Sequence, residues 1–239
     1  GVPGPELRGF AAINSIAVVP QTPTVLAVSS LGSVAVIDLN KPDDFGVVQA
    51  HQQGSLTKVV AHAAPSSMFL TCSSHTVMLF DQRSPAQAVL QCPSRGGHKL
   101  HSLALHPFQT TSFVTGDAAG SVSFWDLRLL DNGQYDSCET RSAALGAQQP
   151  GNIIWDVVYM PESADALFTA SNAGALDLWL KSRNPAVPPF ELALRLEEGH
   201  LPLMALDVHP KTKALCAASE MSTLQLYARV PLVSEAMVA

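Results

Sequence analysis

Charge is scarce in this chain: only 14% of its 239 residues are Asp, Glu, Lys or Arg, and the net charge is −6. A nucleic-acid binder needs a basic stripe to neutralise phosphates, and a peripheral membrane protein needs a polybasic patch; 14 Lys and Arg against 20 Asp and Glu supply neither. Cysteine is equally sparse. Cys72, Cys92, Cys138 and Cys216 are scattered with no C-x-x-C pair, so they read as reduced thiols of an intracellular protein rather than as staples or metal ligands. No apolar run is long enough to cross a bilayer. The uncharged stretch from Gly9 to Ile37 is broken by Pro20, Pro23, Asn14, Gln21, Ser29 and Ser30. The first residue is Gly rather than Met and no basic-then-apolar leader is visible, so the chain is expected to be a fragment of a longer one. Long stretches with a 3.6-residue apolar period are missing too, which argues against helices.

Apolar residues, by contrast, make up 47% of the chain, and they are organised in repeats. Five segments share one plan: "VLAVSSLGSVAVIDL" (25–39), "FLTCSSHTVMLFDQR" (69–83), "FVTGDAAGSVSFWDLR" (113–128), "LFTASNAGALDLWL" (167–180) and "LCAASEMSTLQLYAR" (215–229). Each has an apolar strand, a small or polar turn, and a second alternating strand closing on a bulky pair. The pairs are Ile37-Asp38, Phe80-Asp81, Trp125-Asp126, Trp179-Leu180 and Leu226-Tyr227, spaced 43, 45, 54 and 47 residues apart. A second marker keeps step: an apolar strand ends at Pro20, Pro65, Pro107, Pro161 and Pro210, each 15 to 18 residues before its pair. Proline cannot donate to a ladder, so it belongs where a strand gives way to a turn. Gly97-His98 and Gly199-His200 precede two of these strands.

Strand, turn, strand, tight turn, strand, with a fourth strand after the bulky pair, is one β-propeller blade. A single such sheet has two apolar faces and hides them only against neighbouring sheets. The expected fold is all-β, a WD40 β-propeller with five recognisable blades. They cover approximately 10–50, 51–95, 96–145, 146–195 and 196–239 within a single domain, 1–239. The chain departs from the usual blade in one respect. Leu31, Ala119 and Ala173 stand before the turn glycines Gly32, Gly120 and Gly174 where an Asp is common, and Asp117 comes two residues early. The polar network of most blades is therefore expected to be incomplete, with packing in its place.

Several residue groups imitate chemistry. His98, His101 and His106 have no cysteine or acidic cluster beside them, and two fall at repeat positions, so no metal site is read. Gly116 and Gly120 lack the Lys-Ser/Thr of a phosphate loop and lead into a strand; Gly120 is a turn residue. Asp38, Asp81 and Asp126 occupy one repeat position in three blades and read as structural. No nucleophile elbow is present, and the chain reads as non-enzymatic, with no cofactor. Trp155 and Asp156 open the first strand of the fourth blade. They are either partner contacts at a propeller rim or, for Trp155, a side chain packed between blades. Lys99, His101 and Met204 hold comparable positions. The link at 129–152 and the Pro-rich stretch at 181–191 are candidate docking segments.

"IIWDVVYMPESADALFTASNAGALDLWL", "LHSLALHPFQTTSFVTGDAAGSVSFWDLR" and "LTCSSHTVMLFDQR", with a last blade lacking Trp-Asp, resemble consecutive blades of a WD-repeat subunit of the nuclear pore's Y-shaped scaffold complex. That resemblance implies a hetero-oligomeric scaffold at the nuclear pore, docked on the α-helical nucleoporins of the complex's short arm, with two N-terminal blades of a seven-bladed ring absent here. "FDQR" (80–83) and "WDLR" (125–128) also match the W-D-x-R pattern of substrate receptors for cullin–RING ubiquitin ligases. On that reading Arg83 and Arg128 would contact the ligase adaptor. A methylosome-type or peroxisomal-import adaptor shares the same rhythm.

Overall fold

A computed structural model describes residues 12–42, 45–50, 54–62, 67–94, 96–129, 152–161, 163, 165–182, 190–198 and 201–228. Among the described residues eighteen strands form five antiparallel sheets, and one short 3-10 turn, Leu127–Leu129, follows the third. The chain is all-β, and its five sheets are the blades of a β-propeller. In blade one, β1 (Ile13–Val18), β2 (Thr24–Ser29), β3 (Ser33–Asp38) and β4 (Phe45–Gln49) pair in sequence order. Blade two repeats the order with β5 (Leu56–Ala61), β6 (Met68–Ser73), β7 (Thr76–Asp81) and β8 (Ala88–Pro93). Blade three is β9 (Leu100–Leu105), β10 (Ser112–Asp117) and β11 (Val122–Asp126). Blade four is β12 (Ile154–Tyr159), β13 (Ala166–Ser171), β14 (Ala175–Lys181) and β15 (Phe190–Glu198). Blade five is β16 (Leu203–Val208), β17 (Leu215–Ser219) and β18 (Leu224–Tyr227). The strands pack as two compact units, β1 to β9 and β10 to β18.

Because side chains alternate across a strand, each blade has two chemically different faces. One carries the bulky residue of the closing pair. Phe80 stands opposite Phe69 with the rings stacked at 5.2 Å, and Trp125 stands opposite Phe113, stacked at 5.6 Å. The other carries mostly aliphatics, with Phe124 and Phe168 as aromatic exceptions. In the first unit the aliphatic face of blade one (Leu26, Val28, Val34) packs on the aromatic face of blade two (Leu56, Phe69, Phe80). In the second unit the face of blade four opposite Trp179 (Phe168, Leu176, Leu178) packs in the same sense on blade five (Leu203, Leu206, Leu215). The first strand of blade one is exposed on one side, with Ile13, Ile16 and Val18 each about 60% exposed. On blade five the aliphatic face is bare, with Leu224 and Leu226 about 70% exposed.

The pairing corrects one detail of the repeat. Leu215 faces Tyr227, as Phe113 faces Trp125, so the closing pair of blade five begins at Tyr227, one residue later than its sequence pattern suggests. The turns behave as the repeat requires: Gly32, Gly120 and Gly174 adopt φ of 81°, 80° and 76°. Blade five places Ser222 in that left-handed position at φ 59°, a conformation that strains an L-residue.

The early Asp117 has a clear job. Its Oδ1 accepts the backbone N–H groups of Ala119 and Ser121, and Ser29 Oγ accepts those of Leu31 and Ser33 in blade one. The cap of the hairpin has moved three residues before the glycine. The polar network is kept only in part: Trp125 Nε1 donates to Thr115 Oγ1 and Trp179 Nε1 to Thr169 Oγ1, both at 2.9 Å, while His98 is exposed.

Blade two has Phe80 where blades three and four have Trp, and among the described residues its buried Thr71 hydroxyl has no hydrogen-bond partner. An orphaned buried hydroxyl costs free energy that an isosteric methyl does not. Thr71→Val is therefore expected to raise the unfolding free energy by about 1 kcal/mol. Thr115→Val and Thr169→Val, which strand an indole N–H, lower it by about 1–2 kcal/mol. Urea unfolding of the three variants tests the pattern; a uniform sign across them refutes it.

Candidate partner-binding surface

The first strands of the blades carry a shared irregularity. A one-residue bulge falls between Ile13 and Ser15, Leu56 and Lys58, Ile154 and Asp156, and Leu203 and Ala205. A bulge re-aims the extra side chain away from the pleat. The extra residues are Asn14, Thr57, Trp155 and Met204, and His101 holds the matching sequence position in β9. Two of the residues singled out in the sequence, Trp155 and Met204, thus belong to one geometric class.

Within the first unit this class clasps the next blade. Asn14 Nδ2 donates to the Leu56 carbonyl at 2.7 Å, and Thr57 Oγ1 to the Leu100 carbonyl at 3.3 Å. The residue after the bulge adds a second tie: Ser15 Oγ accepts the Val59 N–H at 3.3 Å. Asp156 makes the corresponding tie in the second unit, its Oδ2 accepting the Leu206 N–H and its Oδ1 the Val157 N–H, both at 3.1 Å. At 4% exposure the Asp156 carboxylate is turned into the blade stack, where it holds two backbone donors. Asn14, Thr57 and Ser15 escaped sequence reasoning because a bulge leaves no compositional mark.

Trp155 and Met204 are only half-buried. The indole N–H of Trp155 reaches Asn172 Oδ1 at 3.3 Å, which fixes the ring while part of it faces solvent. An amphipathic ring and a flexible thioether at matching positions of adjacent blades make a soft apolar contact area suited to protein surfaces. In the first unit Lys99 is exposed and His101 half-buried.

Arg83 projects into solvent with 79% of its side chain exposed, its guanidinium engaged bidentately by Asp81. Those hydrogen bonds hold the Asp81 carboxyl well below the usual carboxylate range, and Ser67 Oγ adds another. Asp38 and Asp81 cap the turns after their strands by accepting the N–H of Asn40 and Arg83, the structural role expected of this repeat position. Arg128 is exposed on the 3-10 turn. Gly199-His200 and most of both docking links, 130–151 and 183–189, lie outside the described residues. Among the described residues no group of three His, Cys, Asp or Glu side chains could hold a metal ion.

Sequence patterning did not single out the pair formed by Asp177 and Arg195. Asp177, 2% exposed, receives Arg195 Nε at 2.8 Å and a second guanidinium nitrogen at 3.2 Å from the neighbouring strand. Burial raises the thiols of Cys72 and Cys92 to about 11 and about 12, leaving both protonated and unreactive at neutral pH.

Three imidazoles shift the other way. Burial lowers His62 and His106, and burial with the Lys99 charge lowers His101 to about 4. Bases whose folded pKa lies below the unfolded value of about 6.5 bind more protons when unfolded. Their contribution is complete above about pH 6.5 and is lost as pH falls towards about 4. Melting temperature is therefore expected to decline across that window, and His101→Gln to flatten the decline; a flat profile down to pH 4.5 contradicts it.

No protein-family model matches the chain. Its fold nonetheless defines its class: a β-propeller, with partly exposed apolar side chains at the bulges of the first strands of blades four and five. Among curated proteins it is similar to nucleoporin Nup43 of Mus musculus, 22% identical over 178 residues, which is 74% of this chain and 44% of the relative. The chain thus matches less than half of that relative's length.

Proposed function

We propose that this chain is a non-enzymatic scaffold subunit of the nuclear pore's outer-ring Y-complex, bound to α-helical nucleoporins and located at the nuclear envelope. The observation that carries the reading is the similarity to Nup43 across most of the blades, joined to a propeller whose polar side chains serve blade-to-blade ties. Such a construction supplies rigid surfaces. Lys99 and His101 in one unit, and Trp155 and Met204 in the other, are the proposed contacts, with Asp156 holding the strand beneath Trp155.

The exposed side of the first strand belongs to the same proposal: further blades encoded upstream cover Ile13, Ile16 and Val18. Affinity purification of the tagged chain with mass spectrometry tests the whole reading. Nucleoporins are expected among the captured proteins, and their loss with Trp155→Ala locates the contact. Recovery of a cullin–RING adaptor, abolished by charge reversal at Arg83 or Arg128, would replace this reading with the ligase one. Methyltransferase or peroxisomal-import subunits would point to an adaptor of those systems.

A further inference from the structure

The residue that follows the first strand of each blade closes the hairpin, its N–H donating to a carbonyl at or just before the start of the second strand. Val19, His62, His106, Met160 and His209 hold this position, and their acceptors are Thr24, Met68, Ser112, Ala166 and Ala214. Val19 and Met160 are buried and fill the position by packing. His106 and His209 are each followed by proline, which has no N–H, so the first donors that the imidazole can meet lie two and three residues on. His106 Nδ1 accepts the Phe108 N–H at 3.2 Å and the Gln109 N–H at 3.0 Å, and His209 Nδ1 accepts the Thr212 N–H at 3.1 Å. The turn after His62, 63–66, lies outside the described residues.

A ring nitrogen that accepts N–H groups carries no proton, so the proton of the neutral imidazole sits on Nε2 in both residues. On His106 a second proton has to go to Nδ1, where its N–H would point at the N–H groups of Phe108 and Gln109. The closed turn and the charged ring exclude each other. Among the described residues, the titratable side chains around the ring come from blade four: Tyr159, Lys181 and Asp165. The Tyr159 ring lies 5.3 Å from that of His106, and burial pushes its phenol up, so it stays neutral. Burial and the Lys181 charge hold the His106 pKa below its ordinary value against the pull of Asp165, which is itself paired with Lys181 at 3.6 Å.

We propose that the turn from His106 to Ser112 is a proton-operated latch, closed over a neutral imidazole and opened when Nδ1 becomes a donor. Closed, it holds the exposed Phe108 ring edge-on to His106 at 6.4 Å and seats His106 against Tyr159 of blade four. Opening expels the two N–H groups from the ring and frees Phe108 from its place. The change stays local, because the bond from the His106 N–H to the Ser112 carbonyl uses the backbone alone and still closes the hairpin.

Nuclear magnetic resonance of the isotope-labelled full chain, titrated from about pH 7.5 to about pH 4.5, reads the latch directly. The neutral rings of His106 and His209 are expected as the Nε2–H tautomer. As His106 takes up its second proton, below the ordinary value of about 6.5, exchange protection of the Phe108 and Gln109 amides should fall by about tenfold once the intrinsic pH dependence of exchange is divided out. The His106 amide should keep its protection through the same step. His106→Asn places an amide oxygen where Nδ1 stood, an acceptor that cannot titrate. That variant should protect both amides at neutral pH and lose the pH-dependent step. An Nδ1–H tautomer, protection that persists after the ring is protonated, or a step that survives in His106→Asn would each overturn the proposal. So would unfolding of the whole chain before the ring takes up its proton.

Discussion

Arg195→Met is expected to lower the unfolding free energy by roughly 3 kcal/mol, because it leaves the Asp177 carboxylate buried without its cation. The estimate sits at the lower end of the usual cost of breaking a buried pair, since a third of the Arg195 side chain is exposed and water can partly replace it. For a domain of this size the change corresponds to a drop in melting temperature of roughly 6–12 °C. The double replacement Asp177→Leu with Arg195→Met separates pair energy from burial. Removing both charges together should recover most of the loss, because the desolvation penalty disappears with the pair. A single variant as stable as the double one would show that the carboxylate is solvated and the reading of the site is wrong.

Gly120→Val should be at least as damaging. The residue sits at φ 80°, and a Cβ there would lie 2.8 Å from the backbone oxygen of Asn152, an atom that cannot rotate away. The left-handed conformation alone costs an L-residue about 1–2 kcal/mol, and more when it is β-branched. Displacing the backbone at the start of blade four comes on top, for a total of roughly 3 kcal/mol. Gly97 provides the control. It also has positive φ, 64°, but a Cβ there meets nothing within 4 Å, so Gly97→Val should lose only the conformational part. Thermal and urea unfolding of the two variants measure the difference. Equal losses would show that the approach of Asn152 contributes nothing.

These two sites differ in how far the sequence announces them. Gly120 was legible as a turn residue because the same hairpin recurs as "SSLGS" and "SNAGA", and recurrence with a glycine at one place implies positive φ. Its second constraint, the crowding by Asn152, was not legible, since the two residues are far apart in the chain. Asp177 and Arg195 gave no signal at all. They sit in an alternating strand and in an outer strand, and only the register between β14 and β15 makes them a pair.

The sequence by itself determined the five blades, the order of the first three strands in each, the turn positions and, in blades two to four, the bulky residue that closes the third strand. All of these rest on local alternation and on a period repeated five times, and repetition makes a weak local signal strong. It also placed His101, Trp155 and Met204 at one repeat position without showing why that position matters. Tertiary structure decided the rest. The bulges turn that position out of the pleat, so that Asn14 and Thr57 bind the next blade while Trp155 and Met204 keep part of their surface in solvent. Asp156, adjacent to Trp155 in sequence, turns the other way and holds two backbone N–H groups. A side chain's direction depends on the register of its ladder and on the donors that the neighbouring blade presents, and neither is written in the order of residues along one strand.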